Sequence, residues 1–352
     1  MNDLTAKGRD IKMAPTIDQE TFLHVTDMHT AGEPVRIVTG GYPKLAGNTI
    51  LEKRQNALAE HDALRKIMML EPRGHKEMYG AIPVDPSIPE ADLAVLFTHG
   101  SGYSTMCGHA TIALGRWAID TGLIGKTEPF TEFTLECPCG PVYVRTDVTD
   151  GVIGDTSFES VTGYVHIEGL HVELKNIGTV EVDIAYGGAY YAFIDAAALG
   201  LDFGSDPQER FKAVATELTD SIRRNYKIEH PEADDLGFLY GTIITETTDT
   251  RADTLNRHLC YFAEGQLDRS PTGSGVTARL AHAFYKGQVG IGEKCEFAGA
   301  TGIAFTGEIT KKSRLADEKG IVSRVSGRAY YSGTSSYVTE EDDPLKDGFE
   351  IT

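Results

Sequence analysis

Basic side chains are scarce in this chain: 33 lysines and arginines face 52 aspartates and glutamates, a net charge of −19 over 352 residues. So acidic a protein opposes binding to a nucleic-acid backbone or to an anionic membrane surface. No run approaches the roughly 18 apolar residues of a membrane helix, and residues 1–20 lack the apolar core of a secretory signal. A soluble, cytoplasmic protein with a flexible segment over 1–20 is expected. Cysteine is sparse too. The five thiols, Cys107, Cys137, Cys139, Cys260 and Cys295, are an odd number with no export signal, which favours reduced thiols over a disulfide framework. Cys137 and Cys139 have no second ligand pair at zinc spacing, and the eleven histidines form no H-E-x-x-H motif, so no metal is expected.

What the chain does have is an ordinary globular composition, 41% apolar, with 38 glycines. At about 150 residues per domain, its length predicts two domains. Short marks recur in one order in both halves. The first half carries Asp27-Met-His-Thr-Ala-Gly32, then Tyr79-Gly80, Cys107-Gly108 and Gly122; the second carries Asp183-Ile-Ala-Tyr-Gly-Gly188, then Tyr240-Gly241, Thr272-Gly273 and Gly287. The steps are 52 and 57 residues from Asp to Tyr, 28 and 32 from Tyr to Cys or Thr, and 15 and 15 from there to Gly. Duplication explains this order. It predicts a mixed α/β (α+β) fold of two similar lobes, 21–180 carrying Cys107 and 181–330 carrying Thr272, with 331–352 packing back on the first lobe.

Runs such as 93–100, 142–148, 180–194 and 241–245 read as strands. Against them, 109–120 and 276–287 are helical in composition and apolar on nearly every side, so each helix is expected inside a wrapped sheet. Gly122 and Gly287 stand where C-terminal caps belong.

The helix starts carry the chemistry. The first amides of a helix lack internal partners and bear partial positive charge, which suits a carboxylate. Gly108 and His109 at one start, and Gly273 and Ser274 at the other, allow close approach of a ligand to the backbone. Cys107 at such a position is expected to gain thiolate character and to act as a base or a nucleophile. Gly273-Ser-Gly275-Val-Thr-Ala278 also matches a dinucleotide-binding pattern, but a polar, proline-containing loop precedes it where that pattern requires a strand, so no nucleotide cofactor is expected. Glu71-Pro-Arg73-Gly-His75 reads either as a solvated loop or as a substrate-side or interface loop, and the acidic run from Glu340 as a solvated segment.

With Asp27-Met-His-Thr-Ala-Gly-Glu-Pro34, Glu71-Pro-Arg-Gly-His75, Met106-Cys-Gly-His109, Asp183-Ile-Ala-Tyr-Gly-Gly188 and Asp268-Arg-Ser-Pro-Thr-Gly-Ser-Gly275 together, the chain resembles the proline racemase family from about Asp27 to Phe349. The resemblance implies two pseudo-symmetric lobes of the proline racemase and diaminopimelate epimerase type, each a barrel-like sheet around a central helix, with the active site between them. It also implies a homodimer, a small imino-acid substrate and no cofactor. In the family's racemases a cysteine at each helix start forms an acid/base pair on opposite faces of the substrate Cα. Here Cys107 is kept, but Thr272 replaces the second cysteine, and a hydroxyl is far too weak an acid and base for proton exchange. The same replacement marks the family's trans-3-hydroxy-L-proline dehydratases.

Stereochemistry agrees with dehydration. In the trans isomer the 3-hydroxyl lies on the ring face of the Cα hydrogen, so one base on that face can take the proton while water leaves by syn elimination. Cys107 is assigned as that base, the helix-start amides as the carboxylate site, and Asp268, with help from His109, as the partner of the ring ammonium. Thr272 is left either orienting the hydroxyl or filling space. The alternatives are a proline racemase or 4-hydroxyproline epimerase lacking the second thiol, and a catalytically silent amino-acid-binding protein.

Overall fold

The computed structural model describes residues 23–313 and 320–351. The segment 1–20, expected to be flexible, lies outside them. Five α-helices are present among the described residues: α1 Ile50–Glu60, α2 Asp62–Met69, α3 Gly108–Asp120, α4 Gln208–Asn225 and α5 Gly273–Tyr285. None is long and apolar enough to cross a membrane. All five cysteines are free thiols.

The strands fall into two sets that repeat each other pairing for pairing. The first runs Ala329–Tyr337, Leu23–Thr30, Glu33–Gly40, Tyr79–Val84, Leu93–His99, Phe130–Cys137, Gly140–Thr149 and Val152–Glu159. The second runs Tyr164–Leu174, Gly178–Tyr186, Tyr190–Asp195, Leu239–Thr245, Leu255–Phe262, Lys294–Ala298, Ala304–Ser313 and Gly320–Gly327. In both, the third and fourth strands are parallel, the fifth and sixth are parallel, and all other neighbours are antiparallel. Parallel neighbours need a crossover, and here the crossovers hold the helices. Helices α1 and α2 bridge the first parallel pair of one set as α4 does in the other; α3 and α5 bridge the second pairs. The short strands Gly102–Ser104 and Gln266–Asp268 are likewise equivalent, each leading into its helix. The two sets join where Val152–Glu159 pairs with Gly320–Gly327.

Helices α3 and α5 are each 13 residues long, and all but a few positions of each are buried. That is the burial predicted from their all-round apolar character. Strands from both edges of the first set pack on α3, and strands of the second set pack on α5. Small residues let the strands close in: a Cβ on Gly115 would lie 2.5 Å from Thr156. Both helices end as expected, with Gly122 and Gly287 at φ 75° and 71°, where an L side chain would be strained.

Candidate active site

Cys107 follows the strand Gly102–Ser104 and forms the N-cap of α3, with φ −144° and ψ 112°. Its Sγ accepts the Ala110 N–H at 3.4 Å, the place where a capping oxygen would sit. His109 Nδ1 lies 3.2 Å from Sγ, and His109 Nε2 lies 3.2 Å from the Pro34 carbonyl. A carbonyl only accepts, so Nε2 carries the proton and Nδ1 faces the thiol as an acceptor. Burial lowers the His109 pKa, which favours this neutral ring. The thiol proton therefore has an acceptor nitrogen placed beside it.

The Cys107 thiol nonetheless differs from the helix-end thiolate expected from the sequence. Burial pushes its pKa well above the ordinary value, and the charges of Asp268 and Glu33 push the same way. The Ala110 N–H and the Tyr79 hydroxyl pull it down without cancelling that rise. Desolvation outweighs the helix terminus because the whole side chain is enclosed, only 5% exposed.

Thr272 occupies the matching N-cap of α5 but behaves differently. Its φ of 58° and ψ of 90° are rare for a β-branched residue, and its side chain does not cap the helix. Instead the hydroxyl donates to Asp268 Oδ2 at 2.8 Å, while the Ser270 N–H donates to Asp268 Oδ1 at 2.8 Å. Strain of this kind costs about 1–3 kcal/mol and persists only when neighbours impose it. Here the Thr272 N–H is held by Ser270 Oγ at 3.1 Å, and the Pro271 carbonyl by His258 Nε2 at 2.7 Å. His258 is oriented in turn by Arg279, whose Nη1 donates to Nδ1 at 2.9 Å. Burial, reinforced by the Arg279 charge, pushes the His258 pKa down to about 3, so the ring stays neutral and its Nε2–H faces the carbonyl.

The two helix starts meet. A Cβ on Gly108 would lie 2.4 Å from Gly273 Cα, and one on Gly273 2.6 Å from Gly108 Cα. Two positive helix ends with their first amides, those of Gly108, His109, Gly273 and Ser274, thus converge on one spot. The Ser274 hydroxyl is tied to the Tyr191 hydroxyl at 2.7 Å.

Hairpin turns from each strand set reach across to the other and fix this meeting. In the first, Ala31 and Gly32 at φ 51° and 88° make a tight two-residue turn. Beside it Thr30 Oγ1 donates to the His109 carbonyl at 2.9 Å, Thr301 Oγ1 donates to the Ala31 carbonyl at 2.8 Å, and Glu33 accepts the Arg269 N–H at 2.8 Å. In the second, the Gly188 carbonyl accepts from Thr105 Oγ1 at 2.8 Å, and a Cβ on Gly187 would meet the Ser274 carbonyl at 2.2 Å. The Glu71–His75 loop joins the same frame. Arg73 donates to the Val338 and Lys346 carbonyls, and just beyond it Arg269 pairs with Glu77 at 2.6 Å.

The residues singled out from the sequence, Cys107, Gly108, His109, Asp268, Thr272, Gly273 and Ser274, are brought together around the two helix starts. Sequence reasoning missed Glu33, His258 and Arg279, and treated Tyr79 only as a repeat mark. Burial, followed by Asp268, raises the Glu33 pKa well above its usual value. The Tyr79 ring stands edge-on to His109 at 4.8 Å, and its hydroxyl donates to Ser104 Oγ at 2.7 Å.

Comparison with known proteins identifies the family and the fold. The model of the family described as proline racemase matches residues 25–350. Trans-L-3-hydroxyproline dehydratase of Xenopus tropicalis is 47% identical, covering 93% of this chain and 95% of that protein. Trans-3-hydroxy-L-proline dehydratase of Homo sapiens is 45% identical over 93% of this chain and 94% of that one. The crystal structure of a hydroxyproline epimerase from Agrobacterium vitis, 24% identical, superposes with a TM-score of 0.88 over 96% of each chain, which shows the shared fold. The chain belongs to the proline racemase family.

Proposed function

We propose that this protein is a hydro-lyase that dehydrates trans-3-hydroxy-L-proline to Δ1-pyrroline-2-carboxylate and water without a cofactor. The observation that carries the reading is the asymmetry of the helix starts: one thiol beside an imidazole acceptor, opposite a threonine whose hydroxyl is committed to Asp268. The names of the relatives at 45–47% identity support it.

The substrate carboxylate sits on the converging amides of Gly108, His109, Gly273 and Ser274. Its ring ammonium faces Asp268, and this charge offsets the upward pressure of Asp268 on the thiol. Cys107 passes its proton to His109 Nδ1 and, as thiolate, takes the Cα proton. The C–H electron pair forms the Cα–Cβ double bond as the C3–O bond breaks, and the departing oxygen leaves as water with a proton returned on the same face. The carboxylate-side charge that grows during deprotonation is met by fixed amide dipoles. Holding the reacting hydrogen at the thiolate supplies the proximity advantage. The enamine then gains a proton at C3 and loses one from nitrogen, giving the Δ1 imine.

The partner is a small imino acid; a homodimer in the cytoplasm completes the reading. Proton NMR in deuterated water tests it. Pyrroline signals from trans-3-hydroxy-L-proline are expected, whereas D-isomer or epimer formation, or binding without reaction, would replace the reading.

A further inference from the structure

We propose that Tyr79 is the proton donor to the departing 3-hydroxyl, and so the residue that fits the site to a ring hydroxylated on the Cα–H face. The proposal rests on the dehydratase reading above. A leaving hydroxide has a conjugate acid of pKa about 15.7, so C–O cleavage needs a proton delivered to oxygen. The oxygen lies on the same face as the hydrogen that Cys107 removes, and the donor must therefore stand beside Sγ.

Tyr79 stands there. It opens the strand Tyr79–Val84 and is 2% exposed. Its hydroxyl donates to Ser104 Oγ at 2.7 Å, and Ser104 Oγ donates to the carbonyl of Met106 at 3.1 Å, the residue just before Cys107. The Tyr79 ring also stands edge-on to His109 at 4.8 Å, and the Nδ1 of that imidazole is 3.2 Å from Cys107 Sγ, so phenol and thiol flank one ring. Tyr240, its counterpart in the second strand set, borders both Ser104 and Tyr79. Burial raises the Tyr79 pKa, so the phenol is fully protonated when elimination begins.

On substrate binding the phenolic hydrogen turns from Ser104 to the 3-hydroxyl. Cys107 takes the Cα proton, the C–O electron pair goes to oxygen, and the Tyr79 O–H proton goes to the same oxygen, releasing water. The neighbouring S–H proton then passes to the phenolate. Phenol and thiolate are restored, and the Cα proton has in effect followed the water. A 3-hydroxyl on the opposite face would point away from Tyr79 and toward the second helix start, where the Thr272 hydrogen is held by Asp268.

The test compares Tyr79→Phe with wild type on trans-3-hydroxy-L-proline and on trans-3-chloro-L-proline, whose chloride leaves without a proton. The variant should lose about 10²- to 10⁴-fold in hydroxyl elimination, the usual worth of a general acid, while chloride elimination stays within a few-fold of wild type. In deuterated water, the hydroxy substrate recovered from the variant should carry deuterium at Cα. Equal losses on both substrates with no deuterium uptake, or undiminished water elimination, would overturn the proposal. A wild type that forms no pyrroline from trans-3-hydroxy-L-proline would instead defeat the dehydratase reading itself.

Discussion

The Thr272 hydroxyl donates its hydrogen to Asp268 at 2.8 Å, which commits it to that carboxylate instead of to the cap of α5. The position that holds a second thiol in the racemase pattern is instead a polar brace for the Asp268 carboxylate. Thr272→Cys should therefore restore a proton donor and acceptor opposite Cys107. New D-isomer or 2-epimer formation from L-proline or 4-hydroxy-L-proline, followed by chiral chromatography, is the expected result. A variant that merely loses dehydration would show that position 272 does not decide the reaction.

Asp268 raises the Cys107 pKa through its charge, second among the upward effects to burial. Neutralising it in Asp268→Asn removes that effect and must lower the thiol pKa. At any pH below the midpoint a larger fraction is then thiolate, so iodoacetamide alkylation mapped to Cys107 should run along a profile displaced to lower pH than in wild type. An unchanged or upward-displaced profile would contradict this electrostatic account.

The contact of Gly108 with Gly273 leaves no room for a side chain, because a Cβ on Gly108 would fall 2.4 Å from backbone rather than from a flexible tip. Gly108→Ala should force the helix starts apart and spoil the carboxylate site. Titration with pyrrole-2-carboxylate should show binding weakened by tenfold or more, with the far-ultraviolet circular dichroism retained. Wild-type affinity would mean that the amides do not converge on the ligand.

Arg279 and His258 act on the site from behind, through the Pro271 carbonyl. His258→Leu leaves that carbonyl and one guanidinium N–H without partners, at a cost of about 1–3 kcal/mol for each orphaned group. Urea denaturation should register the loss, and the relaxed Thr272 backbone should lower turnover as well. A variant as stable as wild type would remove His258 from the framework.

What the sequence made legible was local. Helices apolar on every side had to be enclosed, glycines at 122 and 287 had to take positive φ, and a cysteine or threonine before a glycine marked each helix start. Glu33, Tyr79, His258 and Arg279 were less legible because each reaches the site through contacts distant in sequence: Glu33 meets Arg269 across 236 positions, Tyr79 meets Ser104 across 25, and Arg279 meets His258 across 21. In a linear string a buried polar residue looks like any other. The thiol pKa had the same difficulty, since the helix end is a local feature whereas the burial that outweighs it is made by the whole fold.

The central claim is that Cys107 alone removes the Cα proton and that water, not an inverted isomer, results. Proton NMR of trans-3-hydroxy-L-proline in deuterated water, with wild type and Cys107→Ser side by side, tests it most directly. Wild type should give Δ1-pyrroline-2-carboxylate and no epimer, and the serine variant no product at all. Undiminished pyrroline formation by Cys107→Ser, or an epimer from wild type, would contradict the account.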